Sequence, residues 1–317
     1  MNEGAWRVRI PLRLPIAGGG SDLPWFVADH GGELLTGGLD AGVAVEIDSG
    51  SSNLEDDGDP FVARALDLLW RRRRPKHLRV TVRSDGRSGS GLGGSGALLV
   101  GLAALARFFE GEPFDRREIA KMASAAEFAL SDGEAGVQDT WAASYGGLQS
   151  FELRSDGEVL RRSLPDDVEL QHWLAERCVL IPTGVTRSAE LELKSQRTRA
   201  LQNRVMELRE LKKLVAPART ALIARDLPAF AEVVETHNEL KLLRSPLVGS
   251  MEAICARGRS VGAYAHKLVG AGGGGYILFV GEPDSIDAIA RDGDNLAAGA
   301  SIRMGTLRLE EPVECAR

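Results

Sequence analysis

From Val8 the chain alternates: Val8, Ile10, Leu12, Leu14 and Ile16 are separated by Arg9, Pro11, Arg13 and Pro15. A period of two predicts a strand with one buried face. Its prolines, which donate no backbone hydrogen bond, predict an edge or a bulge. The alternation returns at Val43, Val45 and Ile47 and again at Leu78, Val80 and Val82, so a sheet precedes any strong helical pattern. Ala97 to Phe109 is then almost wholly apolar, as a buried helix requires. Asp115 with Glu118 has the spacing of a capping pair for a helix reaching about Leu130. Strands are expected near Leu148 to Leu153 and Val179 to Ile181. Leu201, Val205, Leu208, Leu211 and Val215, at spacings of three and four, mark one helical face. Ala263 to Val269 and Tyr276 to Val280 read as two last strands around Gly270 to Gly275.

This order is α+β, not a regular βαβ series. A length of 317 residues suggests two domains, each with its own apolar centre. The polar stretch Arg154 to Asp167 is the expected boundary, giving residues 1–165 and 166–317. No internal repeat or low-complexity linker interrupts either part.

Composition narrows the classes. Hydrophobic residues at 44% and charged residues at 26% are those of an ordinary globular protein. A net charge of −6 leaves no general basic field and argues against a nucleic-acid partner. The run Arg71 to Arg74 reads as a solvated helix end. Three cysteines, widely spaced and odd in number, suggest neither a disulfide framework nor a C-x-x-C site, which fits a reducing compartment. Met1 to Arg9 lacks the pattern of a secretory leader, and no apolar run approaches the roughly 20 residues of a membrane helix. The expectation is a cytoplasmic protein with no membrane partner.

Three glycine-rich runs, each beside an expected strand, hold the candidate chemistry. Gly89, Gly91, Leu92, Gly93, Gly94, Ser95 and Gly96 open the apolar helix, where successive backbone N–H groups form a partial positive site suited to phosphate. Ser95 adds a hydroxyl for a metal. Gly89-x-Gly91-x-x-Gly94 would also fit a dinucleotide fingerprint, but Pro113 and the capped helix follow where a strand with an acidic end is required. No Gly-x-x-x-x-Gly-Lys is present, which excludes a P-loop. Asp139, after a glycine-broken loop, suits either a helix N-cap or a catalytic carboxylate, and spacing alone favours the cap. Glu127 by itself reads equally as a solvated residue, and Arg13 as the exposed side of an edge strand.

Read together, these segments resemble the three motifs of the GHMP kinases, in order and across nearly the whole chain. Arg13-Leu-Pro-Ile-Ala-Gly-Gly-Gly-Ser-Asp22-Leu-Pro24 is similar to the sugar-binding N-terminal motif, and its triple glycine looks more like heptose 7-phosphate kinases than galactokinases. Gly89 to Ala97 is similar to the ATP loop, and Lys267-Leu-Val-Gly-Ala-Gly-Gly-Gly-Gly-Tyr276 to the C-terminal glycine motif. Gly136-Val-Gln-Asp139-Thr-Trp with Tyr145-Gly-Gly-Leu resembles the segment holding the catalytic aspartate, and Thr183-Gly-Val-Thr-Arg187-Ser-Ala189 a heptose-kinase segment. Two positions depart from the pattern. Gly94 stands where the family usually has the first of two serines, and Arg87-Ser88 replaces the usual proline.

The resemblance implies a ribosomal-protein-S5-like N-terminal domain, a ferredoxin-like C-terminal domain and an active site in the cleft between them. It implies Asp139 as general base, Arg13 as its electrostatic support, Ser95 and Glu127 as Mg²⁺ ligands, and ATP as phosphoryl donor. Gly19, Gly20, Ser21 and Asp22 would meet the sugar, with Gly272 and Gly273 from the last loop. Arg187 and Lys194 are the candidates for clamping a phosphate on the sugar. The reaction expected is transfer to the anomeric hydroxyl of a heptose 7-phosphate or similar sugar phosphate. Two alternatives stand beside it: a kinase of an unphosphorylated fucose- or galactose-like sugar, and a catalytically silent sugar sensor.

Overall fold

The computed structural model describes residues 5–48, 59–70, 79–86, 89–165, 168–185, 201–243, 247, 250–270, 273–293, 300–301 and 308–310. Arg71 to Arg74, Arg87, Ser88, Arg187, Lys194 and Gly272 lie outside them.

The first sheet is antiparallel and built on two long strands, β1 (Ala5–Ala17) and β2 (Gly32–Asp48), joined through the short helix α1 (Pro24–His30). The register of β1 against β2 shifts between Pro11 and Arg13 and again between Pro15 and Ala17, the bulges the prolines predict. β2 then serves two partners along its length: β3 (Arg79–Ser84) on its second half and β4 (Leu148–Leu153) on its first, with β5 (Val159–Ser163) beyond β4.

Helices α2 (Pro60–Leu69), α3 (Gly94–Glu110), α4 (Arg116–Leu130) and α5 (Gln138–Tyr145) complete this half. α3 is apolar on nearly every side and lies directly on the sheet. At Gly101 an added Cβ would come within 2.6 Å of Ile10 and 2.7 Å of Val45. Asp115 caps α4 by accepting from the N–H groups of Arg117 and Glu118.

After α6 (Val168–Arg177) comes the second sheet, whose first strand is β6 (Cys178–Pro182). The chain continues through α7 (Leu201–Lys213), α8 (Val215–Ala224), α9 (Leu227–Leu242) and α10 (Ser250–Ser260) to β7 (Ala265–Leu268) and β8 (Tyr276–Val280). α11 (Pro283–Gly293) then leads to β9 (Ala300–Ser301). The strands lie in the order β7-β8-β6-β9, all antiparallel, which is the ferredoxin-like arrangement of two crossed β-α-β units. The last described strand, β10 (Arg308–Glu310), pairs with β1. It lies within the expected span 166–317 yet belongs to the first sheet, where it covers the outer edge of β1.

The packing joins the two halves of the chain. One core runs from Val8 and Ile10 through α3 to Val215 and Phe230 of α8 and α9, and includes Leu180 and Leu278 of the second sheet. A smaller core lies on that sheet's other face, formed by Val179, Ile181, Ile277 and Phe279 with Met251 and Cys255 of α10. With both faces covered, β6 and β8 read as continuous apolar runs. For the same reason β1 is buried on both sides from Pro11 onward, so Arg13 is not on an exposed face.

Gly258 of α10 lies against Phe279, where an added Cβ would stand 2.2 Å from the ring. Gly258→Ala is expected to destabilise the protein. Overpacking costs about 1–3 kcal/mol, toward the upper end for so close an approach, against about 1 kcal/mol gained in helix propensity. A thermal melt with unchanged or raised Tm would show that the ring has room to move.

Candidate active site

The glycine run before α3 alternates for a steric reason: Gly89, Gly91 and Gly93 all have φ between +72° and +74°. That left-handed region is cheap only for glycine. Gly93 occupies the N-cap position, and no side chain caps the helix there. The N–H groups of the first turn, from Gly94, Ser95 and Gly96, therefore lie before the first intrahelical bond, Ala97 N–H to Gly93 O at 2.9 Å. The glycine run opens the apolar helix as the sequence predicts, and N–H groups so placed are suited to an anion. Leu92 contributes differently. Its side chain is buried in the core, and its carbonyl accepts the Arg13 N–H at 2.9 Å, tying the loop to β1.

Arg13 and Asp139 meet at the head of this helix. The Arg13 Nε donates to Asp139 Oδ1 at 2.5 Å, and Nη1 donates to Gly91 O at 3.1 Å. Asp139 is the second residue of α5 and does not cap it; Val137 holds the N-cap position without a side-chain bond. The capping reading that spacing favoured is thus overturned, because a residue far away in sequence takes the role. Asp22 Oδ2 accepts the Gln138 N–H at 3.0 Å, while Oδ1 accepts from Gly20 N–H at 3.1 Å. One carboxylate therefore holds both the sugar-motif loop and the start of α5.

Asp139, Arg13, Asp22, Gly19, Gly20 and Glu127 share the wall of a cavity of about 230 Å³. Burial pushes Asp22 up from the ordinary carboxylate range, and Asp139 nearby adds to the rise. Glu127 is pushed up to about 8, first by burial and then by the charge of Asp139, with the Ser95 hydroxyl opposing the shift. Its Oε2 is buried and has no hydrogen-bond partner among the described residues. Among those residues there is also no cluster of three or more His, Cys, Asp or Glu able to hold a metal. A lone buried carboxylate oxygen beside a hydroxyl suits Mg²⁺, a hard cation that keeps water and substrate phosphate as its other ligands.

Not every expected residue reaches the cavity. Ser21 is fully buried and pins its loop to β2: its Oγ donates to Glu33 O at 2.7 Å and accepts Glu33 N–H at 3.1 Å. Its role is structural. In the last glycine loop, Gly270 lines the cavity, and Gly273 belongs to the stretch beyond it. An added Cβ at Gly270 would stand 2.5 Å from Gly91, and one at Gly275 2.2 Å from Ser90. The third glycine loop thus closes on the ATP loop backbone to backbone. Arg187, Lys194 and Gly272 fall outside the described residues.

His237 and Glu134 line the cavity unforeseen, as do two lysines that were given no role from the sequence, Lys241 of α9 and Lys267 of β7. Both lysines are almost wholly inaccessible. Lys241 Nζ donates to Leu268 O at 2.6 Å and also to Gly270 O; Lys267 Nζ donates to Ile16 O at 2.8 Å. Burial lowers Lys267 to about 7, with the like charge of Arg13 adding to the shift. A lysine inside the apolar strand segment Ala265 to Val269 was the available signal.

An uncapped helix start lined by glycine, next to a carboxylate that an arginine holds at the cavity wall, supplies the parts that phosphoryl transfer to a small molecule needs. The chain matches the GHMP kinases N terminal domain over residues 60–147 and the GHMP kinases C terminal domain over residues 218–296, together more than half its length. It belongs to the GHMP kinases. It is 26% identical over 307 residues to the D-glycero-alpha-D-manno-heptose 7-phosphate kinase of Campylobacter jejuni, covering 87% of this chain and 89% of that one. Its fold is that of a D-glycero-D-manno-heptose 1-phosphate kinase from Bacteriodes thetaiotaomicron, with TM-score 0.78, 22% identity and coverage of 98% and 100%. It is also that of the Lactococcus lactis galactokinase complexed with galactose, with TM-score 0.72, 13% identity and coverage of 96% and 95%. Among the described residues no helix is long and apolar enough to cross a membrane.

Asp139→Asn keeps the shape of the side chain and removes its basic lone pair. It is expected to lower kcat roughly a hundredfold or more while leaving nucleotide binding largely intact. Turnover above about a tenth of wild type would exclude Asp139 as the base.

The two glycines at the helix start separate cleanly. An added Cβ at Gly94 meets nothing within 4 Å, whereas at Gly96 it would stand 2.6 Å from Asp139 Cβ. Gly94→Ser should therefore be accommodated, and one regained hydrogen bond of about 0.5–1.5 kcal/mol corresponds to a several-fold lower Kd for Mg·ATP. Gly96→Ala should displace Asp139 and cost at least about tenfold in kcat, since misplacing a catalytic group by about 1 Å can cost a hundredfold. Calorimetric titration and steady-state rates read the two effects. Equal behaviour of both variants would mean that Asp139 is not held by this contact.

Proposed function

We propose that the protein is an ATP-dependent sugar-phosphate kinase that phosphorylates the anomeric hydroxyl of a heptose 7-phosphate or a close relative. The observation that carries this reading is the convergence of Asp139, Arg13 and Asp22 beside the uncapped start of α3, in one cavity. The kinship with a heptose 7-phosphate kinase over most of both chains supports the substrate class.

The mechanism follows from these positions. The triphosphate lies along the N–H groups of Gly94 to Gly96, in a loop opened by the left-handed glycines. The sugar sits against Gly19, Gly20 and Asp22. Each oxygen of Asp22 already accepts one backbone N–H, and its remaining lone pairs can take sugar hydroxyls. Asp139 accepts the proton of the attacking hydroxyl as that oxygen bonds to the γ-phosphorus and the bond to the ADP oxygen breaks. Arg13 orients Asp139 through Nε, and its fixed positive charge helps offset the charge on the transferring group. Ser95 and Glu127 would hold Mg²⁺, which neutralises charge on the phosphates. These groups act chiefly by positioning and charge compensation, which is most of what phosphoryl transfer demands of a protein.

A panel of sugar phosphates and free sugars with Mg·ATP, read as ADP release, tests the assignment. Heptose 7-phosphate is expected to show a kcat/KM well above that of the unphosphorylated heptose. Equal values for the pair would remove the sugar-phosphate reading, and a fucose- or galactose-like sugar as the best substrate would replace it. Sugar binding without ADP release from any member would favour the silent sensor.

A further inference from the structure

The cavity sets carboxylates and cations against one another, with Arg13 paired among the acids of the N-terminal half. Asp22, Glu127 and Asp139 face it from the N-terminal loop, α4 and α5, while Lys241 and Lys267 face it from α9 and β7 of the other half. Of the two ammonium groups, Lys267 is the more telling. It is 1% exposed, and an ammonium has three hydrogens to donate. Among the described residues Lys267 donates one hydrogen bond, to Ile16 O, and forms no ion pair with an acid. The charge that acts on it is that of another cation, Arg13. A buried ammonium without a counter-ion is costly unless something supplies the anion.

Its place along β1 indicates which anion. The Arg13 N–H bonds the ATP loop through Leu92 O, whereas Lys267 bonds Ile16, about 10 Å further along the strand at roughly 3.3 Å per residue. Ile16 leads directly into Gly18 to Gly20, the loop that lines the sugar end of the cavity. Lys267 therefore lies on the sugar side of the reacting pair. Lys241 stands at the same wall, its ammonium holding Leu268 O and Gly270 O.

We propose that Lys267, supported by Lys241, is the cationic seat for the phosphate that the sugar substrate already carries, and so sets the preference for sugar phosphate over free sugar. This rests on the sugar-phosphate reading above. The two N–H groups of Lys267 not given to Ile16 point to a bidentate or bifurcated contact with the phosphate oxygens. Lys241 adds charge and fixes the backbone of β7 from which Lys267 projects.

The test uses the full chain and three proteins: wild type, Lys267→Met and Lys267→Arg. Initial rates are compared for D-glycero-D-manno-heptose 7-phosphate and for the same heptose without phosphate. A charge-assisted hydrogen bond of about 1.5–3 kcal/mol corresponds to roughly a tenfold to hundredfold change. Lys267→Met is expected to raise KM for the sugar phosphate by that factor, leaving KM for Mg·ATP and for the free sugar within about twofold. Lys267→Arg should recover part of the loss. A proportional rise for both sugars would overturn the proposal in favour of a purely structural lysine. A rise confined to Mg·ATP would overturn it in favour of a contact with the nucleotide. Should Lys267→Met fail to fold, inorganic phosphate is titrated against the wild type. Inhibition competitive with the sugar phosphate and not with Mg·ATP supports the seat, and inhibition competitive only with Mg·ATP, or none, overturns it. A wild type that does not favour the sugar phosphate defeats the substrate assignment itself. A wild type that does, with Lys267→Met retaining the preference, defeats only the role of Lys267.

Discussion

The ion pair between Arg13 and Asp139 ties together the parts on which the site depends. Arg13 stands on a long central strand, grips Asp139 at the start of α5 through its side chain and holds the ATP loop through both its backbone and its guanidinium. The surrounding glycines then have a direct reason. A Cβ at Gly93 would stand 2.7 Å from Arg13 Cγ, and one at Gly96 2.6 Å from Asp139 Cβ. The loop is glycine-rich both to turn and to let this pair approach the first turn of α3. Asp22 extends the network, since one carboxylate supplies the missing cap of α5 and orders the sugar-side loop.

Placing so many charges under cover works against stability. Burial raises Asp22 and Glu127 and lowers Lys267, so each group is pushed toward its neutral form when the cavity holds no ligand. Ligands of opposite charge would reverse these pressures: a cation beside Glu127 would restore its charge, and an anion beside Lys267 would restore that of the ammonium. The affinity available to ligands is therefore stored partly as unfavourable burial in the free protein, a common pattern where function and stability compete.

The two halves of the chain do not sit side by side as independent bodies. α8 and α9 pack into the same core as β1 and α3, the third glycine loop closes on the ATP loop, and β10 returns to the first sheet. These contacts bury β1 on both faces and bring Lys267 to Ile16 across more than two-thirds of the sequence. Opening the cleft would have to disturb backbone contacts between the two glycine loops as well as side chains.

Local pattern was enough to find the principal strands and several of the helices of this protein. Strand alternation located β1, β2 and β3, short strand signals marked β4, β6, β7 and β8, and the Asp115 cap and the apolar run located α4 and α3, because periodicity and capping are written over a few neighbouring residues. The three glycine runs and their order carried the family. What residues do beyond their neighbours was decided by tertiary structure. Asp139 reads as a cap until Asp22, over a hundred residues away, is seen to take that role. Ser21 reads as a sugar ligand until its hydroxyl is found on Glu33. Lys241 drew no attention in the sequence and Lys267 only as the first residue of a glycine motif, since nothing within one helix or strand records which elements will cover them. Burial and pairing at that distance are properties of the packed chain, and they are what convert a set of plausible residues into a site.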